Sequence, residues 1–410
     1  MKILSITISG FRNIYRQTLE INNFTALVSL NNYGKSNLLE AIDFGFKFIT
    51  APPEVKQAMM SQAQNYPINK HIKSDLFEFE LQAVADNKFF VYYFAFSWKT
   101  KKIVAERLKL KTSNQARRLR TLIDRTQEKS LFLQSAGGRC DKKIEIQDNW
   151  LIINKLHLLG DWIFADIAKA ISSLKAQYFP LTEIDKYFAF GQIIHKTPEA
   201  EIKINLWSVA QYLYELKVKK PDDFLFFKDI IINLLPEIED FQPIEINLKT
   251  EKPQGLELPE KFYDIRVKFR NNTQDLSIKN LSYGTRRIFH ILSVAMRESQ
   301  RNVFNVLMFE ELENSIHPAL MQSLLDVLFE FAENLQIIIT SHSPHLIQFL
   351  DLDKIYIGIP NDKGLVRFAK VRKSRHNAIY KAAQRMEMNL GEFIFDKLIS
   401  DDEEFWQENF

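Results

Sequence analysis

A short apolar run that ends in Gly-Lys-Ser constrains this chain more than any other feature. Ala26, Leu27 and Val28 read as a buried strand, and Leu38, Leu39, Ala41 and Ile42 recur at helical spacing. Between them lies the polar loop Ser29-Leu30-Asn31-Asn32-Tyr33-Gly34-Lys35-Ser36. Strand, glycine-bearing loop and helix in that order make a cradle for phosphate. Backbone N–H groups and the helix N-terminus face the anion, the lysine neutralises the β and γ oxygens, and the hydroxyl ligates magnesium. The full pattern has a second glycine where Ser29 stands, so the loop is a partial match whose setting supplies the rest.

Three further motifs follow much later in the chain. The apolar strand expected from Val303 to Phe309 ends in Glu310, Glu311, Leu312 and Glu313, before Ser315-Ile316-His317-Pro318. Carboxylates at the C-terminal edge of a buried strand stand where ligands collect in parallel sheets. There Glu310 can hold magnesium, usually through water, and Glu311 can orient or deprotonate an attacking water. Against this stands an acidic turn that only caps the helix opened by Pro318, the tolerated first position. Ser282 and Gly284 in Leu281-Ser282-Tyr283-Gly284-Thr285-Arg286-Arg287 precede Ile288, Phe289, Ile291 and Leu292, so a helix start exposes backbone N–H groups to an anion. Last, Thr340-Ser341-His342-Ser343-Pro344 follows the buried strand Ile337 to Ile339, which places His342 near a γ-phosphate. A lone histidine after a buried strand is otherwise structural.

These four motifs, in this order, resemble the ABC-type ATPase heads of the RecF, SMC and overcoming-lysogenization-defect (OLD) group. The likeness covers about the first 50 residues and residues 260–360, and Ser9-Gly10-Phe11-Arg12-Asn13 also looks like that group's opening. It implies an α/β head in two sequence-separated halves, interrupted by a mostly helical insertion, with ATP and Mg2+ as cofactors. Arg12, Asn32, Gly34, Lys35, Ser36 and Asn37 would then form the phosphate and magnesium pocket. Ser36 and Glu310 would hold the metal, Glu311 would be the catalytic carboxylate and His342 the switch histidine. Ser282 and Gly284 would form the signature loop presented to a second subunit's ATP, so the resemblance also implies at least a dimer of heads. Gln82 is a guess for the group's glutamine-loop residue. Tyr92-Tyr93-Phe94-Ala95-Phe96, the segment Ile103 to Leu108 and the ending Leu390-Gly391-Glu392-Phe393-Ile394-Phe395-Asp396 look like AAA-labelled ATPases of phage-defence and abortive-infection operons.

Three departures stand out. Ser29 replaces glycine, Glu310 replaces the usual aspartate and Leu312 replaces the usual proline. Serine serves if its backbone is not left-handed, whereas glutamate must shift to keep the near-octahedral magnesium shell. Either change is expected to slow hydrolysis without abolishing binding, which suits a switch.

The rest of the chain sets limits. With 410 residues there is room for two or three compact units. The single cysteine, Cys140, excludes an internal disulfide framework. No apolar signal core opens the sequence and no run reaches the ~18 residues of a membrane helix. A cytoplasmic protein with no membrane partner is the expectation. Residues 1–110 are expected to form the first half of the head, 111–245 the helical insertion, 246–360 the second half and 361–410 a C-terminal extension. Trp150, Trp162 and Trp207 read as core, with breaks at Pro180, Pro198, Pro221 and Pro236, and Asn361-Asp362-Lys363-Gly364 as a hairpin turn. About 50 residues after that turn are too few for the Toprim nuclease domain that OLD nucleases carry.

The formal net charge of +3 hides a segregation. Residues 99–125 hold Lys99, Lys101, Lys102, Arg107, Lys109, Lys111, Arg117, Arg118, Arg120 and Arg125 against Glu106 and Asp124, and residues 367–385 are basic with no acid. Such runs suit DNA or RNA phosphates, or are simply solvated faces. The tail reverses sign at Asp401, Asp402, Glu403 and Glu404, then places Phe405, Trp406 and Phe410. Those aromatics either anchor a partner or fold back onto the chain. The functional expectation is an ATP-driven sensor of a phage-defence system that controls a separately encoded effector, a Toprim nuclease being one candidate. A RecF-like repair ATPase and a non-hydrolysing ATP-bound scaffold are the alternatives.

Overall fold

Strict alternation of large apolar and polar residues builds the first sheet. In the strand Leu76–Ala85 every second residue is buried, so Phe77, Phe79, Leu81 and Ala83 share one face. The neighbouring strands Lys88–Ser97 and Lys102–Leu110 pair antiparallel, with one register shift between Ala95 and Phe96. In the computed structural model the sheet has eight strands, in the order Ile14–Glu20, Lys2–Phe11, Leu76–Ala85, Lys88–Ser97, Lys102–Leu110, Arg120–Arg125, Ser130–Leu133 and Cys140–Lys143. It therefore runs past residue 110, where the sequence reading starts a mostly helical segment. Strands of four to six residues, several of them charged, carry too little period-2 signal to be read in isolation. Among the described residues past 110, the first helix is Ile152–Leu159.

The structure describes the chain apart from residues 112–117, 189–192, 198–199, 205–207, 248–255, 258–260, 302–305, 360, 362 and 401. Arg117, Pro198, Trp207, Val303, Asp362 and Asp401 thus lie outside the described residues. The chain divides into two compact units, one of residues 1–178, 301–312 and 332–410, the other of 179–300 and 313–331.

A second sheet in the first unit positions the phosphate loop. Its order is Ala176–Phe179, Val306–Phe309, Gln336–Ser341, Phe24–Val28, Ile355–Gly358 and Phe368–Ala369. The strands from Val306–Phe309 to Ile355–Gly358 pair parallel, and all their residues are buried. Parallel strands covered on both faces read as continuous apolar runs, which is why these were legible. Ile355–Gly358 and Phe368–Ala369 pair antiparallel around the turn at Asn361, whose side-chain oxygen accepts from the N–H groups of Lys363 (3.1 Å) and Leu365 (3.0 Å).

The helix Lys35–Thr50 is anchored on the antiparallel sheet by aromatic stacking. Phe48 lies 4.9 Å from both Phe94 and Phe96, and Phe44 lies 5.1 Å from Phe77. A Cβ on Gly45 would come within 2.2 Å of the Phe79 ring, so only glycine lets this helix sit so low.

Most of the basic run 99–125 falls on this sheet, and part of it is consumed there. Arg125 is 4% exposed and donates to the carbonyls of Trp150 (2.5 Å) and Gln147 (3.2 Å). Beside it the fully buried Glu106 accepts from Tyr92 Oη and from the N–H groups of Ile152 and Ile153, capping the helix Ile152–Leu159. Burial pushes the Glu106 carboxyl up, against these backbone donors. Arg120 donates to the carbonyls of Ala136 and Gly138, while Lys102 pairs with Asp148 and Arg107 with Asp124.

The C-terminal segment takes the fold-back alternative. The helix Leu390–Ile399 starts with a reciprocal cap between Asn389 and Glu392, and packs on the helix Pro344–Ile347. Gly391 touches the backbone of Pro344 so closely that a Cβ would lie 2.0 Å from its carbonyl oxygen. Asp402 caps the last helix, Glu403–Asn409, and pairs with Lys397. Trp406 is 5% exposed, in a ring cluster with Phe393, Phe405 and Phe410. Asp402 is therefore a cap and an ion-pair partner, and Trp406 is core.

In the second unit the helix Tyr283–Arg301 buries Phe289 against Phe241, 5.0 Å away on the strand Ile238–Asn247. That strand pairs antiparallel with Lys261–Phe269. Among the described residues no helix is long and apolar enough to cross a membrane.

Candidate functional site

The residues expected to form the phosphate and magnesium pocket lie in the first unit: Arg12 follows the strand Lys2–Phe11, Asn32 and Gly34 are in the loop after Phe24–Val28, and Lys35, Ser36 and Asn37 open the helix Lys35–Thr50. Gly34 caps the helix Lys35–Thr50 in the left-handed conformation, with φ 86°, and no side chain caps the helix. A Cβ there would also meet Val366 and Asn13, at 2.3 and 3.2 Å, so the position is closed to any side chain. Asn32 is left-handed too, with φ 66°, a conformation asparagine tolerates. A glycine N-cap brings no side-chain oxygen of its own to the start of this sixteen-residue helix, the end of a helix that suits an anion.

Lys35 is buried and folded back along the loop. Its Nζ donates to the carbonyls of Ser29 and Leu30, both at 2.9 Å, and reaches Ser29 Oγ at 3.3 Å. Loop carbonyls thus hold the ammonium within the loop. Ser29 is fully buried and is not among the residues with positive φ, so the condition for serine to replace glycine is met.

Ser36 and Glu310 meet directly. The Ser36 hydroxyl donates to Glu310 Oε1, and the hydroxyl of Tyr178 donates to Glu310 Oε2 at 2.9 Å. A hydroxyl and a carboxylate within one hydrogen bond of each other are hard oxygen donors, the set that suits magnesium beside phosphate. The donor chemistry therefore fits the metal. Burial and the neighbouring Glu310 push the Tyr178 phenol far up, so it remains a donor. Sequence reading missed Tyr178: a lone tyrosine in a four-residue strand carries no signal until the strand Ala176–Phe179 is placed beside Val306–Phe309.

Glu311 has φ 44°, unusual for a glutamate, and is fixed by a bond from its N–H to Thr340 Oγ1 at 2.8 Å. Its carboxylate lies 3.7 Å from His342 Nδ1. Leu312, in the place of proline, donates its N–H to the Thr340 carbonyl at 3.2 Å, a bond proline cannot make. The strand end is thus bound to the next strand by backbone and hydroxyl together.

Arg12 and Asn37 meet, but through protein partners. Arg12 Nη1 donates to Asn37 Oδ1 at 2.8 Å, Nη2 pairs with Glu40 at 2.6 Å, and the guanidinium lies over Tyr66 at 5.5 Å. Asn37 in turn donates to Asn13 Oδ1 at 2.8 Å. Burial raises the Glu40 carboxyl, Arg12 opposes this, and Glu310 and Asp43 add to it. Gln82 stands apart, in the strand Leu76–Ala85, with its amide on Glu80 at 3.3 Å.

Ser282 and Gly284 lie in the second unit, at the start of Tyr283–Arg301. Ser282 Oγ accepts from the Thr285 N–H at 3.2 Å, an N-cap. A Cβ on Gly284 would lie 2.1 Å from the Ser315 carbonyl oxygen, so glycine there is required by close backbone approach.

Comparison with known families matches residues 24–348 to the family described as "AAA domain, putative AbiEii toxin, Type IV TA system". The chain belongs to this family. Among solved structures it is similar to an SMC head bound to the C-terminal winged-helix domain of ScpA, with 14% identity, 92% of this chain and 100% of that one covered, and a TM-score of 0.54. A second SMC head, with an extended coiled coil and bound to the C-terminal domain of ScpA derived from Pyrococcus furiosus, gives 13% identity, 93% and 99% coverage and a TM-score of 0.51. At such identities the likeness is one of fold: this AAA-family chain has the α/β fold of an ABC-type ATPase head. Comparison with curated proteins found no match.

Proposed function

We propose that this AAA-family protein binds and hydrolyses ATP as a switch whose heads close on nucleotide and whose state controls a separately encoded effector. The observation that carries the reading is the meeting of Ser36 with Glu310 and of Glu311 with His342 beside the Gly34 helix start, from positions up to 306 residues apart in sequence. Lys35 would leave the Ser29 and Leu30 carbonyls for the phosphates. Ser36 and Glu310 would hold magnesium, which when bound neutralises phosphate oxygens. Glu311, left-handed and bonded to Thr340, would orient the attacking water and accept its proton, with His342 beside it at the γ-phosphate.

Ser282 and Gly284 would meet the ATP of a second copy, so nucleotide stabilises the dimer because each pocket is incomplete alone. The family's description as a toxin of a toxin–antitoxin system supports a role in phage defence within the cytoplasm. SMC heads bound to ScpA domains support a docked partner protein, with a Toprim nuclease one candidate. Exposed basic surface supports DNA or RNA as a further ligand. Light scattering on Glu311→Gln tests the reading: with magnesium and ATP the mass doubles, with ADP it does not. A monomer under both conditions contradicts nucleotide-driven closure.

A further inference from the structure

We propose that Tyr178 is a positioning residue for the metal-binding carboxylate, and that it compensates for the extra methylene of Glu310 relative to aspartate. The inference rests on the ATPase reading above. Tyr178 belongs to the strand Ala176–Phe179, the sheet neighbour of Val306–Phe309, so strand pairing sets the reach from phenol to carboxylate. Its hydroxyl donates to Glu310 Oε2 at 2.9 Å, while Oε1 accepts from Ser36. The two oxygens are gripped from two elements, the edge strand and the phosphate-loop helix, and this fixes the carboxylate plane.

That grip matters because of the residue it holds. Glutamate has one more rotatable bond than aspartate, and magnesium tolerates little departure from octahedral geometry. A free glutamate at the end of Val306–Phe309 would sample orientations that place neither oxygen beside Ser36. Hydrogen bonds to ligating carboxylates remove that freedom, and their loss typically lowers metal affinity about 10–100-fold. Phenylalanine at position 178 would keep the ring and delete only the donor.

The test measures binding of a fluorescent ATP analogue against magnesium concentration for wild type, Tyr178→Phe, Glu310→Asp and the double variant, with thermal melts of each. Tyr178→Phe is expected to raise the magnesium concentration for half-maximal binding about tenfold, and to leave metal-free nucleotide binding unchanged. In the Glu310→Asp background the same substitution has no effect, because the shorter carboxylate ends before the phenol. A tyrosine that only stabilises the strand would lower the melting temperature and shift both backgrounds alike. Unchanged magnesium dependence in Tyr178→Phe, or equal shifts in the two backgrounds, overturns the inference while the ATPase reading stands. Should Glu310→Asp not fold, the contrast between metal-dependent and metal-free binding in Tyr178→Phe decides alone. Wild type that binds no nucleotide at all overturns both.

Discussion

A Cβ atom on Gly358 would lie 2.7 Å from the Cβ of Ser29. The strands Phe24–Val28 and Ile355–Gly358 run parallel with Ile357 opposite Val28, so the next pair in register is Gly358 and Ser29. The serine that departs from the phosphate-loop pattern is thus accommodated by a glycine 329 positions later. Gly358→Ala should destabilise the protein by about 1–3 kcal/mol through overpacking and weaken nucleotide binding. Ser29→Gly in the same chain should restore both, read by thermal melts and nucleotide titration. No restoration would place the clash on Phe368 instead, whose ring lies 3.0 Å from the same Cβ.

Lys56 makes stability depend on alkaline pH. It is 1% exposed, and its Nζ donates to Asn154 Oδ1 at 2.9 Å and to the carbonyls of Ile49 and Ala51 at the end of the phosphate-loop helix. Burial lowers its pKa from 10.5 to about 8, partly opposed by Glu106. Between those values the unfolded chain holds a proton that the folded chain has released, so stability rises with pH through that window. The stability difference between wild type and Lys56→Met should move towards wild type by up to ~3 kcal/mol from pH 8 to pH 10.5. Urea unfolding at stepped pH checks this, and a flat difference contradicts it.

How much of this was legible follows the physics of each signal. Ser36, Glu310, Glu311 and His342 were legible because buried parallel strands are continuous apolar runs, and polar residues at their ends stand out. Tyr178 and Gly358 were not, since each matters only through a neighbouring strand far away in sequence. The four-residue strands Ser130–Leu133 and Cys140–Lys143 were too short to show periodicity, so the sheet's extent was hidden. For Asp402 and Trp406 the sequence left docking and fold-back both open, and only packing, with a helix to cap and rings to pack against, favours fold-back.

Trp406→Ala should cost about 3–5 kcal/mol, as for a buried tryptophan. Deletion of residues 401–410 should lower stability or solubility in the same way. A tail deletion with an unchanged melting temperature that loses a co-purifying effector would return these residues to docking.

Nucleic-acid affinity, if residues 367–385 carry it, should fall steeply with salt and depend little on sequence. Arg372, Lys373, Lys381 and Arg385 are exposed, whereas Arg120 and Arg125 are engaged within the protein. Reversing Arg372, Lys381 and Arg385 to glutamate should weaken duplex binding more than reversing Lys99, Lys109 and Arg118. The opposite order in a salt titration would assign the interface to the eight-stranded sheet.

The central claim is that Glu311 serves hydrolysis and Lys35 serves binding at one site, and phosphate release from magnesium-ATP tests it most directly. Wild type should release phosphate. Glu311→Gln should bind ATP with wild-type affinity yet release no more phosphate than Lys35→Ala, which should not bind ATP. Equal phosphate release by wild type and Glu311→Gln, with ATP bound to both, would contradict the account and leave a protein that holds ATP without hydrolysing it through Glu311.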